Sequence, residues 1–307
     1  MGGWHALDAV SRRVEGYRHY IYPYRMSEMP RIGFSVWKDD SKRIKDLIPN
    51  LLESGYDHVE VSIESPLDTR DPDLLYLIST LRDAGLSIGF HAPWKEIFPA
   101  SPVEEIRLAS TNVLAKVLEN ILKFEPTYLV LHGSSEQNIC LKNEDTCIGS
   151  LEISVETLRK IYGEIYIETI QGLCCGKISQ ILKLIEKIQE PRVCLDLAHI
   201  AVESIIKARN KWPSRISDTL SEIPERLGRI SPLIHIHGLK SGDRRVRTHY
   251  DFSYTPLGGE DIARAAKMWG VRYIVFEVFY RSSGEPVKPS DLYEEVKRIR
   301  GWISILS

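Results

Sequence analysis

Six short apolar runs in this chain each end on a histidine or a carboxylate. They read GFHAPW with His91, LVLHGSS with His132, IYIETIQG with Glu168, VCLDLAHI with Asp196 and His199, LIHIHGLKS with His235 and His237, and IVFEVFY with Glu277. A single ending of this kind has a bland explanation: a strand meets solvent, or a structural histidine finds a hydrogen bond. Six in succession carry more weight if the fold gathers the run ends at one place. Three carboxylates brought together repel unless a cation neutralises them. Imidazole beside carboxylate suits Zn²⁺, Mn²⁺ or Fe²⁺. The expected cofactor is a divalent metal, Zn²⁺ first, with Mn²⁺ or Co²⁺ as alternatives.

The elements that must position these residues follow from periodicity. Runs rich in Val, Ile, Leu and aromatics lie at 31–37, 58–64, 87–91, 128–132, 164–169, 192–196, 233–237 and 273–277. They have the continuous apolar character of strands covered on both faces. Helical patterns lie between them. The clearest is 101–124, where Ser101, Pro102 and Glu104 suggest a capped start. Asp71-Pro72, 176–190 and 290–305 give similar signals, and 210–231 reads as a longer, less regular connection. Alternating strand and helix predicts an α/β protein with a parallel sheet. Eight such units fit a single (β/α)8 barrel, whose C-terminal strand ends share one rim. An open doubly wound sheet is the alternative, although no G-x-G-x-x-G follows the first strand. Residues 1–30, with Tyr17, Tyr20, Tyr22 and Tyr24, read as an N-terminal extension packed across the barrel bottom, or else as a dimer contact or part of the pocket, and 31–307 as the catalytic domain.

Composition narrows the function classes. The net charge of −2 provides no global basic field for nucleic acid. No apolar run has transmembrane length, and the first residues have no signal-like apolar core, so a cytoplasmic location is expected. The five cysteines form no CxxC pair and do not resemble a secreted disulfide framework. Cys140 and Cys147 are close enough in sequence to be weighed as a pair, whereas Cys194 reads as a small buried residue of a strand.

The run-end motifs resemble the xylose isomerase-like barrel superfamily, which includes endonuclease IV and the sugar isomerases and epimerases. The resemblance extends from about Arg31 to Tyr280. It implies a metal held by Glu168, Asp196, His235 and Glu277. His235 is preferred over His237 because HIHGLK is similar to the endonuclease IV motif H-x-N-D-S-K, which places the ligand first; His237 is then left to line the pocket. The same resemblance gives His91 and His132 a second ion, with Glu168 as bridge, and sets Trp94 and His199 in the pocket. Two motifs depart from endonuclease IV. ETIQG stands for E-N-T-A-G, and the D-R-H motif beyond strand seven is missing. His249-Tyr250-Asp251 is the nearest substitute, with the two ligand types in reversed order. The expectation is therefore that His199 lacks partners for a third ion and serves as a hydrogen-bonding residue.

Three functional readings remain. The first is a zinc hydrolase of endonuclease IV-like type, with Glu168 and Glu277 as catalytic carboxylates. Its substrate is a phosphodiester or related bond, in a phosphorylated or cobamide-type small molecule ahead of abasic DNA. Lys240, Arg244, Arg245 and Arg247 after strand seven suit a phosphate, or else form a solvated basic loop. Trp94 suits stacking on a base or sugar, or else packs at the rim. The second reading is a sugar or sugar-phosphate isomerase or epimerase, with one ion and a proton shuttled through an enediolate by Glu168 and Glu277. The third is a barrel that binds a ligand without turnover. No membrane partner is expected, and the oligomeric state stays open.

Overall fold

The computed structural model describes residues 29–135, 137–173, 175–207, 212–242 and 246–306. The tyrosines of the N-terminal segment, Arg244 and Arg245 lie outside the described residues. Eight parallel strands close into a barrel: β1 (Arg31–Trp37), β2 (His58–Ser62), β3 (Ser87–His91), β4 (Leu129–Leu131), β5 (Ile165–Glu168), β6 (Val193–Asp196), β7 (Leu233–Ile236) and β10 (Tyr273–Phe276). Their order around the barrel is β1-β10-β7-β6-β5-β4-β3-β2. Two further strands, β8 (Gly238–Ser241) and β9 (Val246–Tyr250), form an antiparallel hairpin after β7.

Strand alternation sets what points inward. Ile165, Ile167, Val193, Leu195, Ile234, Ile236, Ile274 and Phe276 join the large core between strands and helices. The intervening residues Tyr128, Val130, Tyr166, Cys194, Leu233, Tyr273 and Val275 form a separate cluster that fills the barrel. Continuing that inward parity by two residues reaches His132, Glu168, Asp196, His235 and Glu277. A period of two therefore turns apolar strand interiors into a polar rim with no change of backbone geometry. Gly89 accommodates this filling: a Cβ there would lie 2.3 Å from Cζ of Tyr128.

The helices pack outside. Pro72–Asp83 starts on Asp71, whose side chain accepts from the Asp73 amide. The long helix is Glu104–Ile121, followed by a 3₁₀ turn Leu122–Phe124. Its expected capping box does not form. Val103 is the N-cap, and Ser101 Oγ instead accepts the Val103 amide before the helix begins. The Cys140–Cys147 pair also does not form, because Cys147 is a free buried thiol. Cys194 is buried in β6 as expected. No helix among the described residues is long and apolar enough to cross a membrane.

Candidate metal centre

The rim residues gather into three groups, each with its ligand atoms within 4.8 Å of one another: His91, His132 and Glu168; Glu168, Asp196, His235 and Glu277; and His199, His237 and His249. Glu168 belongs to two groups. Its Oε2 lies 3.0 Å from His91 Nε2 and 2.8 Å from His132 Nε2, while Oε1 lies 3.5 Å from His235 Nδ1. Register explains part of this arrangement, since Asp196 pairs with His235 across β6 and β7. Glu277 Oε2 approaches His235 Nδ1 at 3.4 Å. Asp196 Oδ1 accepts the His199 amide at 2.7 Å, which aligns Asp196 at the start of the helix Leu197–Lys207.

Backbone partners fix which ring nitrogen faces inward. His91 Nδ1 donates to the carbonyl of Ala92, so Nε2 is the nitrogen turned to Glu168. His249 Nδ1 donates to the carbonyl of Glu277, which makes Nε2 the nitrogen with the lone pair. His249 arrives through the β8–β9 hairpin with φ of 62°, a left-handed conformation that is strained for a non-glycine residue. It is held there by its neighbours: its carbonyl accepts the amides of Phe279 and Tyr280, and its amide donates to His237 Nδ1.

The grouping corrects one expectation. His199 does have partners, but they are His237 and His249 rather than His249 and Asp251. Asp251 is used elsewhere, accepting the amides of Ser253 and Ser282. His237 is not a plain pocket residue either. It lies two residues after His235, shares its inward direction and is fully buried, with Nε2 3.2 Å from Asp196 Oδ2. Lys240 reaches neither group in its observed contacts. Its ammonium donates to the Ser282 carbonyl and lies over the rings of Tyr250 and Tyr254. Arg247 is exposed. Trp94 packs edge-on against His91 and tilts against His132, and Trp37 and Phe279 extend this aromatic wall to His249.

A family model described as a xylose isomerase-like TIM barrel matches residues 48–302. The chain belongs to this family. Among solved structures, a D-tagatose 3-epimerase-like protein superposes with a TM-score of 0.65 at 13% identity, covering 90% of this chain and 100% of its own. Endonuclease IV from Thermus thermophilus superposes with a TM-score of 0.57 at 17% identity, covering 90% and 100%. The IolI protein, crystallised with a bound zinc atom, gives 0.61 at 12% identity, covering 90% and 98%. At such identities the likeness concerns the fold. No curated protein matches the chain.

In this xylose isomerase-like barrel the rim chemistry fits a cation. Asp196 Oδ2, His199 Nδ1, His235 Nδ1, His237 Nε2 and Glu277 Oε2 are buried, and none has a hydrogen-bond partner among the described residues. Unpaired buried polar atoms are costly, and five on one rim form a donor set with its lone pairs uncommitted. Without a cation, protons take its place. Burial opposes an imidazolium at His91, yet the hydrogen bond and charge of Glu168 push it up to about 9. Burial likewise opposes charge on Glu168, but His132, His235 and His91 hold its carboxyl well below the usual range. At the third group the effects divide: Asp196 raises His237 against its burial, whereas burial dominates at the other two rings. Burial lowers His199, and it lowers His249 to about 3, so both rings are neutral donors.

The sequence reading missed Glu60, a fully buried carboxyl in the middle of β2 that contacts His235. The available signal was an acidic residue at an inward position of HVEVS, inside a strand buried throughout.

Proposed function

We propose that the chain is a divalent-metal hydrolase, with zinc as the leading ion, that cleaves a phosphodiester in a small phosphorylated molecule. The observation that carries this reading is the third group of His199, His237 and His249 beside the other two. An isomerase needs only the Glu168, Asp196, His235 and Glu277 set to chelate two sugar oxygens. Two further histidine groups on the same rim suit a reaction in which charge develops on several phosphoryl oxygens. Ions bound there would polarise the phosphoryl group and lower the pKa of water.

The chain's own residues supply the rest. Glu168 faces both His91 and His132 on one side and His235 on the other, so one carboxylate orders two groups. Glu277 is held below the usual carboxylate range despite its burial, chiefly by His249 and His235, and its Oε2 has no hydrogen-bond partner among the described residues. With an ion held by the other members of its group, that oxygen could accept the proton of an attacking water. Trp94 and Trp37 cover the His91 side and offer ring surface to the organic part of the substrate. A net charge of −2 gives no general attraction for duplex DNA, which favours a small substrate over a polymer.

A second reading has its own support. Glu168 and Glu277 flank His235 at 3.5 and 3.4 Å, a pair of carboxylates suited to shuttling a proton in a sugar epimerase. One experiment separates the two. Purified protein is analysed for metal content and assayed on bis(p-nitrophenyl) phosphate, abasic DNA and ketoses, alongside the double variant His199→Ala, His249→Ala. More than one ion per chain, with phosphodiester cleavage lost in the variant, is the expected result. Ketose turnover with one ion per chain, unchanged in the variant, would sink the hydrolase reading and establish the epimerase.

A further inference from the structure

We propose that Glu60 is a positioning residue of the four-ligand group, holding His235 in the tautomer that presents Nδ1 as the ligand atom. This inference rests on the metal-centre reading above. Glu60 lies on β2, on the far side of the barrel order from β7, and both Glu60 and His235 are fully buried. The two meet across the barrel interior, where Glu60 Oε2 lies 2.9 Å from His235 Nε2. An ionised carboxylate only accepts, so His235 Nε2 carries the proton. A neutral imidazole has one proton, and the lone pair therefore sits on Nδ1. That nitrogen is the one facing Glu168 Oε1 and Glu277 Oε2, and it has no hydrogen-bond partner of its own among the described residues.

A second set of bonds secures Glu60 in this role. Its Oε2 also accepts the Tyr128 hydroxyl at 2.9 Å. With that single proton donated, the Tyr128 oxygen accepts from His58 Nε2 at 2.8 Å. His58 Nδ1 lies 2.8 Å from Ser87 Oγ, whose hydroxyl is also within 3.2 Å of the Asp57 carbonyl. The donors run from His58 through Tyr128 to Glu60, and a reversed His235 tautomer would set a lone pair against a carboxylate. Packing keeps the chain in line. His58, Tyr128 and Tyr273 are in mutual ring contact, and Gly89 leaves the space that the Tyr128 ring occupies. The second oxygen of the same carboxyl, Oε1, is buried and has no hydrogen-bond partner among the described residues. A carboxylate behind a ligating histidine fixes ring orientation and raises ligand basicity.

The test compares wild type, Glu60→Gln and Glu60→Leu. Zinc affinity is measured by chelator competition, and the ring tautomer of His235 by two-bond correlation spectra of imidazole-¹⁵N-labelled, zinc-loaded protein, with His235→Gln supplying the assignment. The inference predicts roughly 10–100-fold weaker zinc binding in Glu60→Gln, a larger loss in Glu60→Leu, and mixed His235 tautomers in place of the single Nε2–H form. Circular dichroism shows whether each variant folds; if the leucine variant does not, the glutamine variant decides alone. Equal zinc affinity and an unchanged tautomer in Glu60→Gln would overturn the inference. Wild-type protein that takes up no ion would overturn the metal-centre reading itself, and this inference with it.

Discussion

Glu168→Gln is the sharpest perturbation of this rim, because one carboxylate serves two ligand groups. The substitution keeps shape and removes charge. Oε2 now lies 3.0 Å from His91 Nε2 and 2.8 Å from His132 Nε2, and an amide placed there either keeps a neutral acceptor or turns a second donor toward two donors. In metal-free protein each short charge-assisted contact contributes about 1.5–3 kcal/mol, and relief of repulsion from Asp196 and Glu277 offsets part of the loss. On the proposed metal-centre reading the effect is larger in metal-loaded protein. The His91 and His132 group loses its only carboxylate, and the neighbouring group falls to two. A departing ion removes several kcal/mol of transition-state stabilisation, and about 4 kcal/mol corresponds to roughly a thousand-fold in rate. The assay is metal content by mass spectrometry after dialysis, paired with kcat on the substrate that wild type turns over. His91→Ala serves as the comparison, since it disturbs one group and spares the other. Glu168→Gln protein with full metal content and wild-type turnover would refute the assignment of Glu168 as the shared ligand.

Other outcomes follow from the same geometry. His235→Ala is expected to cost more activity than His237→Ala, since His235 sits among three carboxylates while His237 serves the histidine group; the opposite ranking in kcat would reassign the essential ion. Metal-free protein is expected to lose stability as pH rises from 6.5 to 9. His91 has its pKa raised to about 9, so its protonation stabilises fully below the ordinary value and is lost through the folded one, at no more than about 1.4 kcal/mol per pH unit. Zinc-loaded protein should lack this loss, and urea unfolding across that range checks both states. His58 acts in the opposite direction: burial lowers it to about 3, so the folded state refuses a proton that the unfolded state accepts. Stability should therefore fall as pH drops from 6.5 toward 3. Gly89→Ala is expected to destabilise by about 1–3 kcal/mol or more by overpacking, because its Cβ would meet the Tyr128 ring at 2.3 Å. A wild-type unfolding midpoint would show that the ring can move aside.

The barrel and most of the residues on its rim were legible from the chain's local patterns. Strands doubly covered by apolar neighbours read as continuous Val, Ile and Leu runs, and the period of two carried each run to its terminal histidine or carboxylate at His91, His132, Glu168, Asp196, His235 and Glu277. These signals are local, so one chain suffices to show them. Helix starts were less legible: Ser101 and Glu104 match a capping pattern, yet the helix begins beyond Val103, because the preceding turn claims the serine oxygen for another amide. The third group was decided by tertiary structure. His249 reaches His199 and His237 only because the β8–β9 hairpin folds back over the rim and holds a histidine at positive φ, whereas Asp251, which looked equivalent in sequence, is bound to the Ser253 and Ser282 amides. Glu60 was decided in the same way. Its meeting with His235, 175 residues away, depends on closure of the barrel, which brings strands β2 and β7 face to face across an interior that no local pattern encodes.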